Sequence, residues 1–79
     1  VHVLVIPKKG IPRLVDAEQD DQALLGHLLL AAGKVAEQLG VSEAFRLIIN
    51  TGAGAGQTVF HLHLHIIAGR EFAEGHMAG

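Results

Sequence analysis

The sequence predicts an α+β fold in which an antiparallel sheet carries one long helix on one face. Residues 1–6 form a β-branched run, apolar residues recur at the helical period between positions 20 and 39, and residues 58–67 alternate between polar and apolar side chains. Since 79 residues suffice for one small domain, we expect a single domain over residues 1–79.

The predicted elements follow one another with short connections. The first strand, Val1–Ile6, is expected to end at Pro7, and the turn after it carries two lysines that we expect to be a solvated edge. A second strand is predicted over Phe45–Asn50. The next connection, Thr51–Gln57, has glycine at every second position from 52 to 56.

The helix is predicted over Asp20–Leu39, with Gly40 as its C-terminal cap. Leu24–Ala32 is apolar nearly all round, so two faces of the helix should be buried, one on the sheet and one against a partner. Gly26 and Gly33 lie seven residues apart, which suits either close helix–helix contact or ordinary tolerated glycine. We therefore expect a homodimer formed through residues 24–39 and an adjacent strand.

Composition narrows the classes of function. The net charge is −2 and there is no basic tract, so we expect no nucleic-acid partner. The longest fully apolar run is far shorter than the roughly 20 residues of a membrane-spanning helix, so we expect no membrane partner. The absence of cysteine excludes thiolate metal sites and fits a cytoplasmic protein. Because the chain opens directly in a strand, we expect that the start of the domain is missing.

Three histidines at alternate positions carry the functional hypothesis. His61, His63 and His65 should line one face of the third strand. The opposite face is predicted to be core and consists of Phe60, Leu62, Leu64 and Ile66. The row of imidazoles could be an ordinary polar face, a zinc site or a catalytic site with a histidine nucleophile. The glycine loop before it, followed by Gln57-Thr58, favours catalysis on a phosphate.

Residues 50–67 resemble the signature of the histidine triad (HIT) superfamily, His-x-His-x-His followed by two apolar residues. The opening residues 2–9 and the helical segment 24–28 are also similar to that family. Ala68-Gly69-Arg70 resembles the nucleotide-binding, nucleoside phosphoramidase branch. The resemblance implies one HIT domain over residues 1–79 that lacks the N-terminal strands and short helix of the family.

The resemblance also implies a reaction, namely hydrolysis at the α-phosphate of a purine nucleoside phosphoramidate through a nucleotidyl-histidine intermediate. His63 would be the nucleophile, His61 would support the site, and His2 would hydrogen-bond His63. The implied phosphate-binding residues are Asn50, Gly56, Thr58, Val59, His63 and His65. No metal or cofactor is implied. A dinucleoside polyphosphate hydrolase and a nucleotide-binding scaffold with little turnover are the alternatives.

Two strand positions are at odds with these roles. A simple hairpin pairing residue 50 with residue 58 would put Asn50 on the face opposite the histidines, unless a bulge reorients it. His2 shares strand parity with Leu4 and Ile6, which favours a core position. The branch also ends in Trp-Pro-Pro-Gly, whereas this chain ends in residues 73–79 without tryptophan, which leaves the leaving-group preference open.

Overall fold

The computed structural model describes residues 1–69, which form a three-stranded antiparallel sheet and one long helix. The elements are β1 (His2–Val5), α1 (Gln22–Gln38), β2 (Arg46–Ile48) and β3 (Leu64–Ile67), with 3₁₀ turns at Leu14–Asp16, Gln19–Asp21 and Ala53–Ala55. The strand order is β1–β3–β2, so β3 is central. The predicted α+β fold is confirmed.

Helix α1 packs on the sheet through residues spaced four apart. Leu28, Ala32 and Ala36 are buried, and Leu28 and Ala32 join the core that also contains Leu62, Leu64 and Ile66. The helix ends in a Schellman motif, in which the N–H of Val41 donates to the carbonyl of Ala36 at 2.9 Å. Gly40 has φ +74° there, a conformation that glycine adopts without strain, so the predicted cap is confirmed.

The register of the sheet separates a core face from a histidine face. Ile66 of β3 pairs with Val3 and Leu47, whereas His65 pairs with Leu4 and Ile48. Directly paired residues share a face, and successive residues of a strand alternate between faces. The side chains at 3, 47 and 66 therefore face the core, and those at 4, 48 and 65 face the opposite side.

The third strand is shorter than the sequence predicted. Its ladder begins at Leu64, because β1 reaches only to Val5 and Pro7 cannot donate a backbone hydrogen bond. Burial still alternates along residues 61–66, so the histidines keep the predicted common side. Phe60 was predicted to be a core residue, and this is wrong: 49% of it is exposed, since the chain bends at residues 59–61 before reaching the sheet.

The connection between β1 and α1 is held by an ion pair that the sequence analysis did not predict. The ammonium group of Lys9 binds Oδ1 of Asp21, which is 4% exposed. The other carboxylate oxygen accepts the N–H of Glu18 at 2.8 Å. The Lys9 side chain is 59% exposed, so the predicted solvated edge is confirmed, and Lys9 in addition ties this connection to the start of the helix.

The outer face of α1 is apolar and uncovered within the single chain. Leu29 and Leu30 are 55% and 71% exposed. A Cβ atom added at Gly26 or Gly33 would meet open space, so no close contact within the chain requires either glycine. Within residues 1–69, no helix combines the length and apolarity needed to cross a membrane.

Candidate active site

Asn50 lies on the histidine face, which resolves the parity problem. The pairing of Ile48 with His65 sets the register, and Asn50 follows Ile48 by two residues, so both point to the same side. The Nδ2 atom of Asn50 lies 3.4 Å from Nε2 of His65. The simple hairpin that would have turned Asn50 away does not form, because residues 51–57 make a wide loop.

His2 also lies on this face, together with the residues whose parity it shares. Leu4 and Ile6 are 48% and 54% exposed, so this side of β1 is not the core side. The Nε2 atom of His2 is 2.8 Å from Nδ1 of His65, and the two ring centroids are 5.0 Å apart. The expected hydrogen bond from His2 to His63 is therefore wrong, since the ring partner of His2 is His65.

His63 has a defined tautomer. Its Nδ1 atom is 2.7 Å from the backbone carbonyl oxygen of His61. A carbonyl can only accept, so Nδ1 carries the proton and the lone pair of the neutral ring is on Nε2. Among residues 1–69, no hydrogen bond engages this Nε2 atom. An imidazole held in this way can attack an electrophile through Nε2.

His61 is oriented by a hydrogen bond to the connection that follows β1. Its Nε2–H donates to the carbonyl oxygen of Pro7 at 2.9 Å. The carbonyl of Pro7 thus orients the His61 ring, and the carbonyl of His61 orients the His63 ring. Both histidines precede Leu64, the first residue of the β-ladder in this strand. The ladder itself holds only His65 of the three.

His65 is the most constrained imidazole of the site. Its pKa is lowered, first by burial and then by the positive charges that His63 and His2 carry when protonated. A neutral His65 that accepts from the Asn50 amide at Nε2 donates its Nδ1–H to His2. His65 can donate to a phosphate from Nε2 only if that nitrogen carries a proton and its contact with Asn50 is released.

The glycine loop offers two free backbone donors. Gly56 has φ +92° and its N–H donates to the carbonyl of Ala53 at 3.1 Å, so this amide is already engaged within the loop, and the expected role of Gly56 in binding phosphate stays a prediction. Within the described part of the chain, no hydrogen bond engages the N–H of Thr58 or of Val59. Both residues are exposed immediately before the histidine row. They are the loop donors that remain available to an anion.

Gln57 is a buried polar residue to which the sequence assigned no role. Its side chain is 2% exposed, and both its amide oxygen and its amide nitrogen are hydrogen-bonded. Its position between a glycine loop and a strand is the only sequence signal. Burial could not be read from that position, because glutamine is usually exposed.

An apolar cleft of about 210 Å³ adjoins the nucleophile candidate. It is lined by Leu4, Ile6, Val59, His61 and His63. Among residues 1–69, no cluster of three or more histidine, aspartate, glutamate or cysteine side chains is arranged to hold a metal ion. The site therefore combines an imidazole with a free Nε2, unoccupied amide donors and an apolar wall.

The sequence of the chain matches a known protein family. The family model described as HIT domain matches residues 1–72. The chain belongs to the HIT domain family. An uncharacterized HIT-like protein of Synechocystis is 63% identical over 73 residues, which are 92% of this chain and 64% of that protein. The chain thus spans less than two thirds of the length of this HIT-like relative.

Solved HIT structures agree with the fold. A HIT family hydrolase from Legionella pneumophila superposes with a TM-score of 0.89 and 43% identity, covering 94% of this chain and 67% of that one. The diadenosine triphosphate hydrolase of Plasmodium falciparum is more distant, with a TM-score of 0.60 and 28% identity over 87% of this chain and 47% of that one. The resemblance to the family is confirmed. Arg70 and the tail, which bear on the branch, lie outside the described residues.

Proposed function

We propose that this HIT domain hydrolyses purine nucleoside phosphoramidates, with His63 as the nucleophile. The observation that carries the proposal is the hydrogen bond from Nδ1 of His63 to the carbonyl of His61, which leaves the Nε2 lone pair free. The bond from Nε2 to the α-phosphorus forms as the bond from phosphorus to the leaving amine breaks. The amine departs with the bonding electron pair and takes up a proton.

The second step regenerates the enzyme. Water attacks the phosphorus of the nucleotidyl-histidine, the N–P bond breaks, and the nucleoside monophosphate is released. Charge that develops on the phosphate oxygens in both steps requires fixed donors. In this proposal the free amides of Thr58 and Val59 supply them, together with the Thr58 hydroxyl and the Asn50 amide. No step requires a metal or a cofactor.

The nucleophile is tested by His63→Ala with a tryptamine phosphoramidate of adenosine as substrate. We expect amine release to fall by about 10³-fold or more, because the covalent route is lost. The matched control is Gln22→Ala, which removes an exposed side chain of α1 outside residues 24–39 and should leave turnover unchanged. Both variants should keep the wild-type circular dichroism spectrum, since neither side chain is part of the buried core. Full turnover by His63→Ala would refute the assignment.

A dinucleoside polyphosphate hydrolase is the second candidate, and the name of the Plasmodium neighbour supports it. Ala68-Gly69 after the triad argues for the phosphoramidase instead, because the hydrolase branch tends to carry proline there. Parallel assays with diadenosine triphosphate and the phosphoramidate separate the two by their ratio of kcat/KM. Binding of adenosine monophosphate without turnover of either substrate would indicate a scaffold.

We also propose a homodimer formed through residues 24–39 and an adjacent strand. The support is the exposed apolar surface of Leu29 and Leu30 on the outer face of α1. Light scattering after size-exclusion chromatography should give twice the monomer mass for the wild type. Leu30→Glu should shift that mass toward the monomer, whereas Gln22→Glu, an exposed change in the same helix but outside residues 24–39, should not.

A further inference from the structure

Gln57 is buried, and its side chain has no donor left for a ligand. Its Oε1 accepts the N–H of Gly52 at 2.8 Å. Its Nε2 donates to the carbonyl of Pro12 at 2.6 Å and to the carbonyl of Val59 at 3.1 Å. A primary amide has two N–H donors, and both are used. Gln57 therefore cannot bind a phosphate without giving up a contact that holds the protein together.

The three partners belong to separate parts of the chain. Gly52 begins the glycine loop, Val59 follows its end, and Pro12 lies in the connection between β1 and α1. The other hydrogen bonds of the loop are internal, such as the one from the N–H of Ala55 to the carbonyl of Gly52 at 3.1 Å. The Gln57 side chain is thus the link that ties both ends of the loop to the rest of the domain.

This link sets where the free amides lie. The N–H groups of Thr58 and Val59 follow Gln57 directly and have no hydrogen-bond partner within residues 1–69. Neither residue is held by the β-ladder, which begins only at Leu64. Their position relative to His63 therefore depends on the contacts of Gln57 with Pro12 and Val59 on one side, and on the hydrogen bond from the N–H of Leu62 to the carbonyl of Ile11 on the other.

We propose that Gln57 is a positioning residue, which aims the Thr58 and Val59 amides at the phosphate without touching it. The inference rests on the proposed function for its effect on turnover. Its structural part, the placement of two amides that an anion can bind, does not depend on turnover. A role as a direct phosphate ligand is the alternative that the experiment must separate.

The first test is Gln57→Glu, which keeps the size of the side chain and the acceptor for Gly52. A carboxylate oxygen would then face the carbonyls of Pro12 and Val59 with no proton to donate. We expect kcat to fall about 100-fold, the loss typical of a misplaced catalytic group. Protonation of the new carboxyl restores one donor, so the ratio of variant to wild-type kcat should rise as the pH falls.

The matched control is Gln22→Glu, the same change at an exposed position of α1 outside the proposed dimer segment. Its ratio to wild type should stay near one at every pH. Gln57→Asn is the conservative variant, which keeps both donors on a shorter side chain and should retain more activity than Gln57→Glu. If Gln57→Glu does not fold, Gln57→Asn is measured in its place, and it should still lower kcat.

The second measurement needs no turnover. In ¹⁵N-labelled protein without ligand, Gln57→Glu should shift the amide resonances of Gly52, Thr58 and Val59, and adenosine monophosphate should bind more weakly. Unchanged Thr58 and Val59 resonances, or wild-type kcat in the variant, would overturn the positioning role. A direct ligand would lose affinity while these amides in the free protein stayed in place. A wild type that releases no amine would refute the proposed function, and the resonances and affinity would still decide about Gln57.

Discussion

Replacing Asn50 by aspartate should convert His65 from a neutral ring into an imidazolium. Nδ2 of Asn50 lies 3.4 Å from Nε2 of His65, and a carboxylate at that distance attracts a unit positive charge by about 1 kcal/mol in water and about 5 kcal/mol at an effective dielectric constant near 20. His65 is half-buried, so the attraction should lie between these limits. This attraction should raise the pKa of His65, whereas burial now lowers it.

The expected result is a rise in the pKa of His65 and a loss of turnover at neutral pH. The imidazolium would donate from Nε2 to the new carboxylate and from Nδ1 to His2, so the contact with His2 would persist. The carboxylate would also repel an incoming phosphate. Proton titration of the His65 ring by NMR measures the first effect, and amine release from the phosphoramidate measures the second.

The control Asn50→Leu removes the amide without adding charge, and it should not raise the pKa of His65. Its turnover should lie above that of Asn50→Asp, because the repulsion is absent. An unchanged or lower pKa of His65 in Asn50→Asp would refute the reasoning, since it would mean that residue 50 does not lie beside this ring.

Two further predictions concern stability. Leu62→Ala should reduce the free energy of unfolding by about 2–5 kcal/mol, because Leu62 is 2% exposed. Val15→Ala, at a residue that is 69% exposed and lies outside the proposed dimer segment, should change it by less than about 0.5 kcal/mol. The pKa of Asp21 is lowered, first by the N–H of Glu18 and then by Lys9, so its stabilising effect is complete above the ordinary pKa of aspartate and is lost as the pH falls through the lowered value. Urea unfolding of Asp21→Asn should therefore depend less on pH in acid than the wild type does, and equal slopes would contradict this assignment.

The helix and the alternation of the histidine segment were predictable because both are local patterns. Helix α1 begins and ends within two residues of its predicted bounds, and Gly40 caps it as expected. The faces of β1 and the position of Asn50 were not predictable in this way. They depend on the register that pairs Leu4 and Ile48 with His65, and register is set by partners distant in the sequence.

The same limit explains the residues that were placed wrongly. Phe60 continues the apolar alternation of the sequence. The β-ladder, which would direct alternate side chains into the core, begins only four residues later, and Phe60 is therefore exposed. Gln57 looks like a surface residue by type and is buried, whereas Lys9 is exposed as predicted but makes an ion pair that was not predicted. Each has its partner on another segment, Asp21 for Lys9 and Pro12 for Gln57. A contact between two distant segments cannot be predicted from the residue pattern within either of them.

The end of the β-ladder accounts for the different properties of the three triad histidines. His65 lies within the ladder and has ring contacts with both Asn50 and His2, so its freedom to rotate is small. His63 lies one residue before the ladder, where its own chain supplies the carbonyl that holds Nδ1 and no contact within residues 1–69 engages Nε2. A nucleophile needs a fixed ring with a free lone pair, whereas a phosphate donor needs a fixed proton. His63, just outside the ladder, meets the first requirement; both ring nitrogens of His65 are already engaged, so in the proposed reaction the fixed protons are those of the Thr58 and Val59 amides.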